Sequence, residues 1–531
     1  MAFLCVRCAQ ITPLTGGKKD TTPPKVLKSV PENASVNFST RQVEIQFDEF
    51  ISLKDLANQF VITPQTKEQP EIEADGKKLK ITFNEALLPN TTYKLFFGNA
   101  VCDIHEYTPY PNFEYIFSTG ATIDSLKLAG KVIYAFDNKP ADKFLIGLYD
   151  LSSNDSVIYK EKPLYISKSD ASGNFNFNYL PSKQFKLVAI YDQNKNLLYD
   201  GAEEQIAFPN ELIKAGDSLS STIYAFKELP NKTFIAKSFS NEYGKASIIY
   251  NKGKPNIKEV KAKGLINYTI NTLKDSITCY YNNVYDTLLT YIYYENEKTD
   301  TLLVKIQSKA IYDKQLKNGL IKYNLSSNIS NGQLAFYETP RFELNYPISS
   351  FEAIKNKMTL LELKDTTKQS IDFTLSSISP TSFSIKTNFK PETSYRLTFN
   401  KAALTDGKGS SNDSVVFNFK LTNEEDYGQL SLKLLFPKKE NYLVQLLNEK
   451  MQVVKEYALE FSLTSTSEKI LQYKNLLPGK YFIKVIEDAN NNGRFDTGDY
   501  LKHQQAETIY FNATPIKLLS GWEIENEWKV N

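Results

Sequence analysis

Leu88-Pro89-Asn90-Thr91-Thr92-Tyr93-Lys94-Leu95-Phe96-Phe97 is answered far along the chain by Phe389-Lys390-Pro391-Glu392-Thr393-Ser394-Tyr395-Arg396-Leu397-Thr398-Phe399. A second pair follows the first in the same order. Leu180-Pro181 leads through Phe185-Lys186-Leu187-Val188-Ala189 to Asp192, and Leu477-Pro478 leads through Tyr481-Phe482-Ile483-Lys484-Val485 to Asp488. A repeated order of modules marks an array, so it governs the reading of every local feature. Around these anchors apolar and polar residues alternate, as in Val43-Glu44-Ile45-Gln46-Phe47 and Leu79-Lys80-Ile81-Thr82-Phe83. Period two puts one face of each strand on a core and the other in water. With Tyr 33 and Phe 33 against Trp 2 and Met 3, the chain is predicted to be all-β, built of tandem β-sandwich modules.

At 531 residues the chain is too long for a single core, and ~100–150 residues per domain gives roughly four or five. Residues 1–23 read as a flexible tail and 24–120 as a first sandwich. Residues 121–227 read as a second, 228–345 as a sandwich of uncertain type, and 346–424 and 425–531 as repeats of the first two. Asp75-Gly76 signals a hairpin, as does Asp170-Ala171-Ser172-Gly173-Asn174. Ser52 is placed to cap a short helical turn through Ala57, and Lys408-Gly409-Ser410-Ser411-Asn412-Asp413 reads as an exposed loop.

Lys+Arg 63 against Asp+Glu 61 leaves a formal charge of +2, so no long-range field favours nucleic acid or an anionic membrane. No apolar run approaches the ~20 residues of a spanning helix. Two His and four Cys, at 5, 8, 102 and 279, leave little material for zinc or His-dependent nucleophilic chemistry, and Cys102 and Cys279 read as small buried hydrophobes. Adjacent carboxylates such as Asp48-Glu49 and Glu203-Glu204 point to opposite faces of a strand, which argues against paired acid/base catalysis. Tyr291-Ile292-Tyr293-Tyr294 offers either a sugar-stacking platform or one core face and one exposed face, and alternation favours the core.

Two loops have the spacing of a calcium site, which needs hard oxygens at alternating positions. Asp488, Asn490, Asn492, Asp496 and Asp499 fit it with Gly493 at the turn; Asp192, Asn194, Asn196, Asp200 and Glu203 fit it with Leu197 in that place. Calcium is the expected ion, and the competing reading is a polar turn that caps its own amides.

Thr21-Thr22-Pro23-Pro24, Ser29-Val30-Pro31-Glu32-Asn33, Val43–Glu49 and the Leu88–Tyr93 stretch resemble the SbsA-type bacterial Ig-like domain. Gly130-Lys131-Val132 with Asp170–Phe175 and Leu180-Pro181 resembles the carboxypeptidase-regulatory-like, transthyretin-like sandwich. With Cys8-Ala9-Gln10 and Thr15–Asp20, the whole resembles Ig-like outer-membrane lipoproteins of Bacteroidota. The resemblance implies a non-enzymatic scaffold of the cell envelope, accessory to an outer-membrane complex, with envelope protein partners. Its only membrane contact would be a lipid anchor, lipidated at Cys8 in the outer membrane. Only seven residues precede Cys8, with Arg7 where a small residue belongs, so a start further upstream is expected. A carbohydrate-binding or adhesive surface protein is the alternative.

Overall fold

The computed structural model describes residues 21–531 apart from 217–221, 231, 253–255, 272–274, 283–285, 319, 321–324, 349, 365–366, 406–407, 409 and 463–466. The expected tail and Cys8 therefore lie outside the described residues, apart from the tail's last three. Strands make up 51% and helix 6%, far below the roughly one-third helix of ordinary domains. Among the described residues the longest helix, Lys309–Lys317, is capped by the Ser308 hydroxyl, which accepts from the Ile311 amide at 3.4 Å. Two compact units result: Met1–Glu228 with Phe495–Ile509, and Leu229–Arg494 with Tyr510–Asn531.

In the first unit, Gln42–Phe47 buries Val43, Ile45 and Phe47 and turns the residues between them outward. It pairs with Lys78–Thr82, so Val43 faces Ile81 and Ile45 faces Leu79. Glu71–Asp75 and Lys78–Thr82 form the hairpin expected at Asp75-Gly76, with Gly76 at φ 64. Val61–Thr63, Thr92–Gly98 and Phe113–Ser118 make the facing layer. Each Val, Ile or Phe closed between the layers contributes about 1.5–3 kcal/mol, and this one-faced burial selects the register. Ser52 is not a helix cap: it lies on strand Ile51–Leu53, opposite Cys102, and its hydroxyl donates to the Asp103 carbonyl. The short helix begins later, at Leu56, because pairing with Val101–Asp103 claims the residues before it.

The next sandwich runs from Leu126–Tyr134 to Thr222–Lys227. Its Asp170 turn forms as expected, with the carboxylate accepting from the Ser172 and Asn174 amides. A Cβ at Gly173, φ 80, would collide with the Val132 carbonyl, so only glycine fits there. The strands it joins are not a hairpin, however. Tyr165–Lys168 pairs with Leu145–Asp150 and Asn174–Leu180 with Leu126–Tyr134, so the turn passes the chain from one layer to the other. Phe495–Ile509 adds Tyr500 to this unit's second core cluster, with its ring 5.2 Å from that of Phe208.

In the second unit the central sandwich packs Ile235–Glu242, Lys245–Tyr250, Ser276–Tyr281 and Leu265–Asn271 against Ile257–Ala262, Thr287–Tyr294 and Thr299–Lys305. Leu288, Thr290, Ile292 and Tyr294 are buried and Tyr291 is exposed, as alternation requires. The second Ig-like module recruits strands upstream of residue 346, since Leu325–Ser327 and Arg341–Leu344 join one of its sheets and Gln333–Leu334 the other. The Lys408 loop is exposed only in part: Ser411 and Asp413 are exposed, whereas Lys408, Ser410 and Asn412 are buried. The Lys408 ammonium donates to the Tyr243 carbonyl at 2.9 Å and sits 4.4 Å from the Tyr346 ring centroid, a cation–π contact. Asn412 accepts from the Leu404 amide and donates to the Asn400 carbonyl.

The repeated sequence folds into repeated geometry. The Tyr93 hydroxyl accepts from the Leu88 amide at 2.8 Å and the Tyr395 hydroxyl from the Lys390 amide at 2.8 Å. Tyr93 stacks on Phe117 and Tyr395 on Phe419. Tyr93→Phe and Tyr395→Phe are each expected to cost about 1 kcal/mol by orphaning that amide. Hydrogen exchange of the full chain reads both, and a gap between them larger than their mean would show the two corners to be unlike. In each of the four repeated modules an early segment also lies parallel to the last strand. Ser35 stands opposite Phe117 and Lys131–Tyr134 opposite Thr222–Ala225. Gln333–Leu334 lies opposite Lys420–Leu421, and Gln429–Leu435 opposite Glu523–Lys529.

Candidate functional site

Both Asx-rich loops leave the end of a strand, Gln184–Ile190 in the first case and Gly479–Glu487 in the second, and both turn in the same way. In the first, the Asp192 carboxylate accepts from the Asn196 amide at 3.2 Å and the Leu197 amide at 2.9 Å. The Asn194 and Asn196 side-chain oxygens accept from the Asn196 and Leu198 amides at 3.0 and 2.7 Å. In the second, Asp488, 1% exposed, accepts from Asn492 at 2.9 Å and Gly493 at 2.8 Å. Asn490 and Asn492 accept from the Asn492 and Arg494 amides at 3.1 and 3.0 Å. Left-handed residues match as well, Lys195 and Leu197 at φ 61 and 64 against Asn491 and Gly493 at φ 55 and 73.

The first loop lies wholly in one unit. Asp200 accepts from the Asn194 and Asn196 side-chain amides at 2.6 and 3.1 Å. The carboxylate that closes the loop is Glu204 and not Glu203. Glu203 ends the 3-10 turn Gly201–Glu203 and is exposed, whereas Glu204 is buried and accepts from the Gln193 and Asp200 amides, both at 3.1 Å. Burial holds the Glu204 carboxyl above the usual range, and the nearby charges of Asp192 and Asp200 add to the effect against its two amide donors. A count of twelve from Asp192 reaches Glu203, but period two from Ile206, which is 0% exposed, points to Glu204.

The residues of the second loop are divided. Asp488, Asn490 and Asn492 belong to the unit of Leu229–Arg494, and Asp496 and Asp499 to the unit of Phe495–Ile509. The Asp496 amide donates to Glu507 at 2.8 Å, and Asp499 pairs with Lys502 at 2.6 Å. Burial pushes the Asp499 carboxyl up, but the Lys502 ammonium and amide outweigh it and hold it below the usual range. Among the described residues no three His, Cys, Asp or Glu side chains converge to hold a metal ion by themselves, so a cation in either loop would need the Asn oxygens. Each carboxylate oxygen of Asp192 and of Asp488 accepts one backbone amide and keeps a spare lone pair.

Asp48 accepts from the Lys25 amide at 2.8 Å, and Cys102 and Cys279 are free and buried. Among the described residues no helix is long and apolar enough to cross a membrane.

Residues 20–119 match the family of bacterial Ig-like domains, so the chain contains one such domain. No curated protein matches the sequence. Among solved structures the chain is similar to BcpA, the major pilin subunit of Bacillus cereus, at 10% identity over 76% of this chain and 99% of that one, with a TM-score of 0.15. It is also similar to domains 1–6 of the surface-layer protein SbsC, at 11% identity over 88% and 65%, TM-score 0.14. The Bacillus anthracis TIE protein is similar at 9% identity over 98% and 76%, TM-score 0.13.

Proposed function

We propose that the chain is a non-enzymatic, multi-domain β scaffold of a bacterial cell envelope, lipid-anchored through Cys8 in the outer membrane and holding partner proteins there. The observation that carries this reading is the series of β-sandwich modules that follows a matched bacterial Ig-like domain. The finer assignment, to SbsA-type Ig-like and transthyretin-like modules of a Bacteroidota lipoprotein accessory to an outer-membrane complex, rests on the sequence resemblance. Labelling with a palmitate analogue in the native host tests the anchor: the wild type is expected to take label and Cys8→Ser to lose it, and retained label would count against it. Co-purification from native membranes tests the partners.

Calcium is the proposed occupant of the two Asx loops, supported by their shared turn geometry. Saturating calcium is then expected to raise the melting temperature of the full chain relative to chelator, by the equivalent of roughly 2.7 kcal/mol at a hundredfold excess over Kd. Equal melting temperatures, or a shift that survives Asp192→Ala with Asp488→Ala, would leave the loops as amide-capping turns.

A carbohydrate-binding or adhesive role is the second reading, favoured by the chemistry of one cleft.

A further inference from the structure

The geometry points to an acidic oligosaccharide as the ligand of the cleft between the first Ig-like module and the sandwich that follows it. This deepens the carbohydrate-binding reading and is independent of where the chain is anchored. Both walls belong to one unit, and the floor is the seam where Val61–Thr63 meets Tyr165–Lys168. The Gln65 amide crosses that seam to the Leu164 carbonyl at 2.6 Å, and the Lys195 ammonium reaches the Asn58 side chain at 3.3 Å. The cleft encloses about 1290 Å³, more than the ~300–1,000 Å³ of a drug-sized site and on the scale of an oligomer.

Its lining has one dominant charge. Lys143, Lys168 and Lys195 all face it and all are exposed. Asp192 is the one carboxylate in the lining, and its oxygens are turned to the Asn196 and Leu197 amides. Lys143 also has Asp142 at 3.7 Å, an exposed pair of little strength. Beside the ammonium groups stand the exposed amide of Gln193 and the half-buried rings of Phe60 and Tyr191. Amides pair with hydroxyls, ring faces accept the C–H faces of sugars, and ammonium groups pair with carboxylate or sulfate, so the set suits a charged glycan.

The backbone fixes how two of these lysines are presented. Lys143 and Lys195 sit at φ 64 and 61, in the left-handed region where lysine is uncommon. The second Asx loop, with the same turn, has Asn491 and Gly493 at the positions of Lys195 and Leu197, the residue types that the region tolerates. The first loop thus departs from the easier choice at the two positions that line the cleft.

Titration calorimetry of the full chain against an oligogalacturonate, a sulfated oligosaccharide, a neutral cello-oligosaccharide and polyphosphate tests the assignment. At least one acidic oligosaccharide is expected to bind, with affinity falling as salt rises, and the neutral one not to bind. Lys168→Gln with Lys195→Gln is expected to weaken binding roughly tenfold or more while leaving the melting temperature in place. The uronate and sulfate arms identify which acid is read. Absence of binding to both acidic oligosaccharides, unchanged binding in the double variant, or polyphosphate bound as tightly as the glycan would each overturn the assignment. Loss of palmitate labelling would bear on the envelope reading alone.

Discussion

Phe117→Ala is expected to destabilise the first Ig-like module by about 3–5 kcal/mol, the range for deleting a buried aromatic ring. Phe117 is 0% exposed, and its ring lies 4.1 Å from Phe38, 5.4 Å from Tyr93 and 5.6 Å from Phe83. The surrounding rings belong to a close-packed core, so a cavity term adds to the lost transfer energy. Both tryptophans, Trp522 and Trp528, lie on or beside the last strand, Glu523–Lys529, and report on the C-terminal module. Denaturant unfolding of the full chain should therefore leave the tryptophan transition in place, while hydrogen exchange in Thr92–Gly98 and Phe113–Ser118 accelerates. A loss below about 1 kcal/mol in those strands would show that the aromatic cluster is not the centre of that core.

Asp103→Ala is expected to cost about 3–5 kcal/mol in the same module. Asp103 is 4% exposed and accepts from the amides of His105, Glu106 and Thr108 at 2.8, 2.6 and 2.6 Å, so it holds a whole loop together. Burial alone would push its carboxyl up, but the three amides outweigh it and keep it below the usual range. A depressed carboxyl contributes stability that is present above its unfolded value, ~3.9, and is lost as pH falls through the folded value. The wild type should thus lose stability in acid below about pH 4, and Asp103→Ala should lack that component. Parallel acid limbs for the two proteins in a melting-temperature series would contradict this role.

The strands were legible wherever burial is one-faced and local. Val43, Ile45 and Phe47 declare their face through period two, and the corner tyrosines Tyr93 and Tyr395 declare the repeat through identical spacing from Pro89 and Pro391. What stayed hidden depends on distant partners. Lys408 is polar by sequence and buried because Tyr243 and Tyr346 come to it from far along the chain. Ser52 has a cap's chemistry, but Cys102 claims its backbone. Gln333–Leu334 is too short to show any period, so the start of the second Ig-like module could not be read. At the candidate ion loops the Asx spacing gave the turn, but a single 3-10 turn, Gly201–Glu203, exchanged Glu203 for Glu204.

The parallel closure of the repeated modules bears on how they respond to tension. A pull on the two ends of such a module drags an early segment and the last strand past each other along their length. Their ladder hydrogen bonds are then loaded in shear and must fail together, whereas an antiparallel closure would peel open one bond at a time. Resistance to forced unfolding follows the unfolding barrier rather than the equilibrium stability. The long pairing of Gln429–Leu435 with Glu523–Lys529 makes the C-terminal module the hardest to draw out.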